Sequence, residues 1–182
     1  MTRSTARLSV IIGSIGLLSL LTIAGVGFTQ GHIGDERAQS LTSCGPTQPS
    51  GTVVHVTLSD RGNVMMGAST LMMVSLYASP STVPSGNVTF VATNVGGLTH
   101  EFLVLPAPRD GVGTRATGVN GKINESTSLG EASTSCGRGA GSGISPGTTS
   151  WVTLHLSPGN YELLCDEPWH YANGMYQGFT VQ

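Results

Sequence analysis

The segment near the C-terminus places a cysteine, a histidine and a methionine at intervals of five residues, as Cys165, His170 and Met175. These residues occupy a predicted loop between two predicted strands, so the ends of the loop would stand on neighbouring strands. A second histidine, His100, opens an earlier predicted strand. A thiolate and two imidazoles in a plane, with a weak axial thioether, suit copper in both of its oxidation states. The pattern therefore predicts a fold that brings these four side chains together.

Short segments of alternating hydrophobicity, separated by turn residues, predict that this fold is all-β. Alternation with a period of two is typical of a half-buried strand, and clusters of Gly, Pro, Asn and Ser separate the segments. Only 10% of the residues are charged, 26 are glycine, and no long amphipathic helical pattern is present. We expect strands at 53–58, 71–77, 87–93, 100–105, 151–156, 161–165 and 176–181. Such a series of short strands indicates a β-sandwich or barrel.

The N-terminal segment 1–28 differs from the rest of the chain. Residues 8–28 carry no charge and follow two arginines. A membrane-spanning helix needs about 20 apolar residues, whereas a secretory signal has an apolar core of about 7–15 residues and a small-residue cleavage site. Both a membrane anchor and a cleaved signal peptide fit this segment. In either case we expect the remainder to be exported, as a linker at 29–51 and one domain at 52–182.

Residues 109–147 form a long stretch that is rich in Gly, Ser and Thr and shows little periodicity. A structureless loop of that length is unusual inside a compact domain. The stretch therefore either contains a short strand or helix that the pattern does not show, or it is mobile.

The charge balance argues against nucleic acid as a partner. The chain has 8 basic and 10 acidic residues, and two of the basic residues precede the exported part. The exported part is therefore acidic, whereas nucleic-acid binding calls for a basic patch.

The number of cysteines is odd, which leaves one thiol unpaired in an oxidising compartment. The three are Cys44, Cys136 and Cys165. If Cys165 is a metal ligand, Cys44 and Cys136 remain as a possible disulfide, although the sequence does not show whether they meet in space. The alternative is that Cys165 is a buried structural cysteine or half of a disulfide.

Three segments resemble a known family. The Cys-x4-His-x4-Met loop at 165–175 is similar to the copper loop of the cupredoxins, in particular of sulfocyanin and rusticyanin. The segment 94–102 (Asn-x-Gly-x3-His-Glu-Phe) resembles the region of that family's first histidine, and 83–90 resembles the strand before it. The resemblance covers 71–105 and 151–181.

This resemblance implies a Greek-key β-sandwich that holds one type 1 copper ion. His100, Cys165 and His170 would be the equatorial ligands and Met175 the axial ligand. The activity implied is the transfer of single electrons between redox partner proteins of a respiratory chain, on the outer face of the membrane or in the periplasm. With residues 8–28 retained, the protein would also contact the membrane.

Several carboxylates lie close to the predicted ligands in the sequence. Asp166 and Glu167 follow the cysteine directly, and their negative charge would favour Cu(II) and lower the reduction potential. Glu101 follows the first histidine. It is a candidate to accept a hydrogen bond from a ligand imidazole and so to orient it.

Trp169 and Tyr171 flank His170 and predict an exposed apolar surface where a redox partner docks. Two other functions stay open: a copper-delivery module without a redox partner, which needs an accessible and exchangeable site, and an interaction domain that keeps only the fold. An enzyme is the least expected class. A copper oxidase would need further metal ligands, and a thiol protease usually takes its cysteine and histidine from distant parts of the sequence.

Overall fold

The computed structural model describes residues 44–66 and 69–182, with the side chains of 61–72 left out. The predicted anchor or signal at 8–28 and most of the predicted linker at 29–51 lie outside the described residues. Among the residues that are described, no helix has the length and apolar character needed to cross a membrane.

The described residues form nine strands and one short 3₁₀ helix. The strands are β1 (Thr52–Met66), β2 (Ser69–Ser79), β3 (Thr82–Val83), β4 (Gly86–Asn94), β5 (Phe102–Pro106), β6 (Gly130–Ala132), β7 (Thr149–Leu156), β8 (Gly159–Leu164) and β9 (Tyr176–Val181). The 3₁₀ helix, Tyr171–Asn173, lies between β8 and β9. Each predicted strand has a counterpart, although the one predicted at 100–105 begins at Phe102.

The strands form two sheets. The first has four strands in the order β2-β1-β4-β7, and the second has five in the order β3-β9-β8-β5-β6. Within the first sheet β1 runs parallel to β4, whereas β1 with β2 and β4 with β7 are antiparallel. The prediction of an all-β, two-sheet sandwich is confirmed.

The main core lies between the two sheets and follows from the alternation in each strand. In β1 the side chains of Val54, Val56 and Leu58 are buried, while the residues between them point outward. Phe90 packs against aromatic rings of the second sheet, with its ring centroid 5.3 Å from that of Phe102 and 5.2 Å from that of Phe179. Cys165 and Met175 belong to the same buried cluster, so the predicted ligand loop is attached directly to the core.

The five-stranded sheet is also buried on its outer face. Alternation along β5 directs Leu103 and Leu105 away from the main core, and there they form a second apolar cluster with Leu164, Ile123 and Tyr171. Ile123 belongs to the long stretch 109–147, part of which therefore covers this face. Burial on both faces explains why β5 reads as a continuous apolar run instead of alternating.

An ion pair between Arg115 and the buried Glu162 holds the covering segment to the outer face of the second sheet. Glu162 of β8 is fully buried. Its carboxylate accepts hydrogen bonds from Arg115 Nε at 2.5 Å and from the Gly113 N–H at 2.6 Å. The long stretch 109–147 is thus anchored by specific contacts, and it contains the short strand β6, the first of the two alternatives that the sequence left open.

The predicted disulfide between Cys44 and Cys136 is confirmed, and it closes a sequence separation of 92 residues. It joins the segment before β1 to the second half of the long stretch, where the Cys136 N–H donates to the Thr149 carbonyl at 2.8 Å. Cys165 is the one free cysteine of the three, and it is buried.

Candidate metal centre

His100 is held by its backbone just before β5 begins. It forms an isolated antiparallel bridge with Ile144. The His100 N–H donates to the Ile144 carbonyl at 3.2 Å, and the Ile144 N–H donates back to the His100 carbonyl at 2.7 Å. The side chain of Asn94 braces the same region, because its Nδ2 donates to the carbonyls of Ile144 and Leu98, both at 2.7 Å. This histidine is therefore fixed by two segments that are distant in sequence.

The loop between β8 and β9 closes on itself through backbone hydrogen bonds. The Cys165 N–H donates to the Met175 carbonyl, and the Met175 N–H donates to the His170 carbonyl, both at 3.1 Å. Gly174 ends the 3₁₀ turn with a left-handed φ of 92°, a conformation that favours glycine. The three residues predicted on this loop are thus brought together by its backbone.

The ligand atoms of His100, Cys165 and His170 all lie within 4.8 Å of one another. The two Nδ1 atoms are 3.2 Å apart, and Cys165 Sγ lies 3.4 Å from His170 Nδ1 and 3.9 Å from His100 Nδ1. The exposed fractions are 0% for His100 and Cys165 and 5% for His170. Three predicted site residues therefore meet in one buried cluster.

Met175, the fourth predicted ligand, is also fully buried. Its backbone is hydrogen-bonded to both Cys165 and His170, which places it beside these two residues at the end of the loop. Its role as the axial ligand stays a prediction.

Two groups outside the ligand set contact it directly. The backbone N–H of Glu101 donates to Cys165 Sγ at 3.2 Å, a bond that stabilises a thiolate. His100 Nε2 lies 3.1 Å from Asp60 Oδ2. Asp60 therefore has the position beside a ligand imidazole that we expected from the sequence for Glu101. The Glu101 carboxylate instead contacts Lys122 Nζ at 3.4 Å. That expectation was wrong because Glu101 turns away from the imidazoles.

Asp60 reaches His100 because of a local irregularity in the first sheet. The pairing of β1 with β2 shifts between Asp60 and Asn63, and such a bulge re-aims side chains near functional sites. The Leu98 N–H also donates to Asp60 Oδ2, at 3.0 Å. Burial opposes ionisation of this carboxyl group, but its hydrogen bonds with Leu98, His100 and Gly97 lower its pKa, so it is a carboxylate at neutral pH.

The protonation of the three clustered groups in the metal-free protein follows from their burial. Burial raises the pKa of the Cys165 thiol to about 12. Burial, together with the charge that His100 would carry, lowers the pKa of His170 to about 4. Burial also lowers the pKa of His100, although Asp60 partly offsets this effect. At pH 7 the cluster therefore consists of a neutral thiol and two neutral imidazoles.

This protonation state predicts the proton balance of metal uptake. Binding of one Cu(I) at pH 7 is expected to release about one proton, because the thiol must ionise to become a ligand while the imidazoles are already neutral. The release should increase as the pH falls towards 4, where His170 becomes protonated in the metal-free protein. Titration of the weakly buffered protein with an indicator dye would measure it. Cys165→Ser should release almost none, and release of two or more protons by the unaltered protein at pH 7 would contradict this assignment.

The acidic residues of the loop carry less charge than the sequence suggests. Asp166 is fully buried, and its Oδ1 accepts a hydrogen bond from the Ile123 N–H at 2.7 Å. Burial and the neighbouring Glu125 side chain raise the pKa of Asp166 to about 7. Burial, followed by the charge of Glu101, also raises the pKa of Glu167. Asp166 is therefore only partly ionised at neutral pH, which weakens its expected effect on the reduction potential.

The two aromatic residues that flank His170 have different environments. Trp169 is 49% exposed and has a left-handed φ of 69°. Its backbone N–H donates to the Gly121 carbonyl at 3.0 Å. Tyr171 is buried in the outer apolar cluster, and its hydroxyl donates to Glu162 at 3.0 Å. The expectation that both rings form an exposed surface was wrong for Tyr171, because the covering segment with Ile123 lies over it.

The donor set of this cluster fits copper. Sulfur and imidazole nitrogen are poor ligands for Mg²⁺ and Ca²⁺, which prefer oxygen. Two imidazoles and a thiolate beside a methionine are typical of a type 1 copper site. In the part of the chain that the structure describes, this is the one group of three His, Cys, Asp or Glu side chains close enough to share an ion.

No protein-family model matches this chain, and no curated protein sequence is significantly similar to it. Solved structures do resemble it. Reduced auracyanin from Roseiflexus castenholzii is 21% identical, with 74% of this chain and 99% of that chain covered and a TM-score of 0.46. Reduced rusticyanin is 22% identical, with 73% and 81% covered and a TM-score of 0.42.

Auracyanin A, a "blue" copper protein of Chloroflexus aurantiacus, is 16% identical, with 71% of this chain and 99% of that chain covered and a TM-score of 0.44. At these values the similarities assign no function to this chain. The strand order of this chain is that of a two-sheet β-sandwich. Its buried cluster of two histidines and a cysteine, beside a methionine, supplies the donor set of a type 1 copper site.

Proposed function

We propose that this protein is an extracytoplasmic type 1 blue copper protein that carries single electrons between redox partners of a respiratory chain. The observation that carries the proposal is the burial of His100, Cys165 and His170 with their ligand atoms within 4.8 Å of one another. We assign these three side chains and Met175 as the copper ligands. The activity is that of a carrier and requires no substrate-binding cavity.

Copper, when bound, supplies a one-electron couple between Cu(II) and Cu(I). The protein's contribution is to keep the same ligands in place in both states, so that little rearrangement opposes the transfer. The bridge between His100 and Ile144 and the closed loop from Cys165 to Met175 support this role, since both fix ligand backbones by hydrogen bonds. Burial in the apolar core also excludes water from the site.

The disulfide and the half-exposed tryptophan support the proposed setting. A structural disulfide between Cys44 and Cys136 is typical of an oxidising, extracytoplasmic compartment. We infer that partners dock near His170 and Trp169, with Tyr171 supporting the loop from beneath instead of contacting the partner. We further propose that residues 8–28 anchor the protein to the membrane or direct its export.

Met175→Leu is expected to keep the visible absorption and to raise the reduction potential. The thiolate that gives the colour remains, but loss of the thioether leaves the more highly charged Cu(II) less stabilised than Cu(I). A roughly tenfold change in that preference corresponds to about 59 mV for a one-electron couple. Cyclic voltammetry of both proteins would measure the shift. An unchanged potential would remove Met175 from the ligand set.

Copper delivery is the rival function, and metal retention separates it from electron transfer. A carrier should keep its copper through many cycles of reduction by ascorbate and oxidation by ferricyanide in the presence of a Cu(I) chelator. The burial of the cluster leads us to expect retention and reversible electron exchange with a soluble c-type cytochrome. Rapid loss of Cu(I) to the chelator, without exchange of electrons, would favour delivery and contradict the proposal.

A further inference from the structure

We propose that Asp60 is a positioning residue of the copper site, which fixes the tautomer of His100 and lowers the reduction potential through its negative charge. This inference rests on the proposed copper function and extends it to a residue on the opposite sheet. Asp60 lies 40 positions before His100 in the chain, outside the segments that carry the predicted ligands.

The first step is the hydrogen bond itself. A carboxylate only accepts hydrogen bonds, so the contact of 3.1 Å between Asp60 Oδ2 and His100 requires the proton of the imidazole to sit on Nε2. The lone pair of a neutral imidazole is then on Nδ1, the atom that faces Cys165 and His170. Asp60 thus presents the ligating nitrogen in the correct protonation state before any metal arrives.

The Asp60 carboxylate lies in a position that the surrounding residues fit closely. The Asp60 side chain is only 5% exposed, and its Oδ2 accepts from both His100 Nε2 and the Leu98 N–H. Gly96 lies against it so closely that a β-carbon at this position would overlap Asp60 Oδ2 and crowd the Asp60 backbone nitrogen. The glycine beside the loop and the bulge in β1 both serve to admit the carboxylate.

Asp60 also brings a negative charge next to His100, one of the proposed copper ligands. A negative charge that is hydrogen-bonded to a ligand imidazole stabilises the more positive Cu(II) state more than Cu(I), and screening by water is weak at a buried position. Asp60 should therefore lower the potential of this site relative to the same site without it. Among the side chains that the structure describes, Asp60 contacts the neutral imidazole of His100, whereas Glu101 forms an ion pair with Lys122.

Asp60→Asn removes the negative charge of this side chain but keeps an oxygen that can accept the hydrogen bond from His100. An asparagine oxygen can take the position of Oδ2 and accept from both N–H groups, so the tautomer should be preserved while the charge is lost. We expect the preference for Cu(I) over Cu(II) to rise about tenfold, which is a positive shift of about 59 mV. Asp60→Ala removes the acceptor as well. Besides the shift in potential, we expect this variant to contain both tautomers of His100 in the metal-free protein, which ¹⁵N NMR spectra of the imidazole nitrogens would show.

Three further variants control the test in the full-length protein. Glu101→Gln removes a carboxylate next to His100 in sequence that contacts no imidazole, and Asp110→Asn removes an exposed one. Both should shift the potential less than Asp60→Asn does. Gly96→Ala keeps every charge but crowds Asp60 out of place, so it should raise the potential and disturb the tautomer.

The proposal is overturned if Asp60→Asn leaves the potential unchanged or lowers it, or if Glu101→Gln matches its effect. It is also overturned if the His100 tautomer is the same in Asp60→Ala as in the unaltered protein. Failure of the proposed function would look different, because the unaltered protein would then show neither the visible band nor a reversible couple. The NMR experiment needs no copper, so it tests the positioning role separately.

Discussion

Cys165→Ser is expected to abolish the intense visible absorption of the copper-loaded protein while leaving the sandwich folded. The absorption of a type 1 site requires a thiolate bound to Cu(II), and Cys165 is the one free cysteine of this chain. A serine hydroxyl is a hard, protonated ligand that does not replace the thiolate. The visible spectrum after addition of Cu(II) gives the result directly.

Folding of the serine variant can be judged independently of the metal. Serine is slightly smaller than cysteine, and its oxygen can accept the hydrogen bond that the Glu101 N–H now donates to Cys165 Sγ. We therefore expect a loss of only about 1–2 kcal/mol in the free energy of unfolding. His155→Gln, which replaces an exposed histidine of β7, is the matched control and should keep the full absorption. A coloured Cys165→Ser protein would contradict the ligand assignment.

Loss of the disulfide is expected to lower the free energy of unfolding more than any of the other substitutions does. The bridge between Cys44 and Cys136 closes a separation of 92 residues. In the chain-entropy model a loop of this size contributes about 4–5 kcal/mol, by restricting the unfolded chain. The double variant Cys44→Ala/Cys136→Ala should therefore lower the free energy of unfolding by about 4 kcal/mol, measured by urea denaturation.

The same variant tests how the disulfide relates to the copper site. Cys136 belongs to the segment that also contains Ile144, the partner of His100, but none of the proposed ligands is changed. The absorption at saturating copper should therefore persist at low denaturant. Thiol titration of the denatured, copper-free protein should find one thiol before reduction and three after it. Three thiols before reduction, or no loss of stability in the double variant, would contradict the structural role of the bridge.

The sequence predicted that the side chains of this cluster would meet, because most of the information for it is local. Cys165, His170 and Met175 share one loop, whose regular spacing is visible without a structure. The same is true of the alternation in β1, β4 and β7, which predicted buried and exposed faces. The odd count of cysteines left Cys44 and Cys136 as a possible pair once Cys165 was assigned to the metal, but only the structure shows that they meet.

The contact of Asp60 with His100 could not be predicted from the sequence because it depends on tertiary structure. It reaches His100 only because β1 pairs in parallel with β4 and then forms a bulge where β4 has ended. No residue pattern near Asp60 indicates this. Glu101 was the natural candidate from sequence alone, but its side chain pairs with Lys122 instead.

The prediction that Tyr171 is exposed was wrong for a related reason. Its neighbour Trp169 is exposed, and sequence gives no sign that part of the long stretch 109–147 folds over the outer face of the second sheet. That stretch lacks periodicity because its order comes from individual contacts, such as those of Arg115 and Gly113 with Glu162. The available indication in the sequence was Glu162, an acidic residue within a strand of mostly apolar residues. A buried carboxylate at such a position needs a cationic partner, which is Arg115.

The most direct test of the central claim is a visible absorption spectrum of the full-length protein, purified in mild detergent, as Cu(II) is added. We predict an intense blue band that saturates at one copper per chain, disappears on reduction by ascorbate and returns on oxidation by ferricyanide. Copper binding without such a band, or a band that does not return after reduction and reoxidation, would contradict the assignment of His100, Cys165 and His170 to a one-electron copper site.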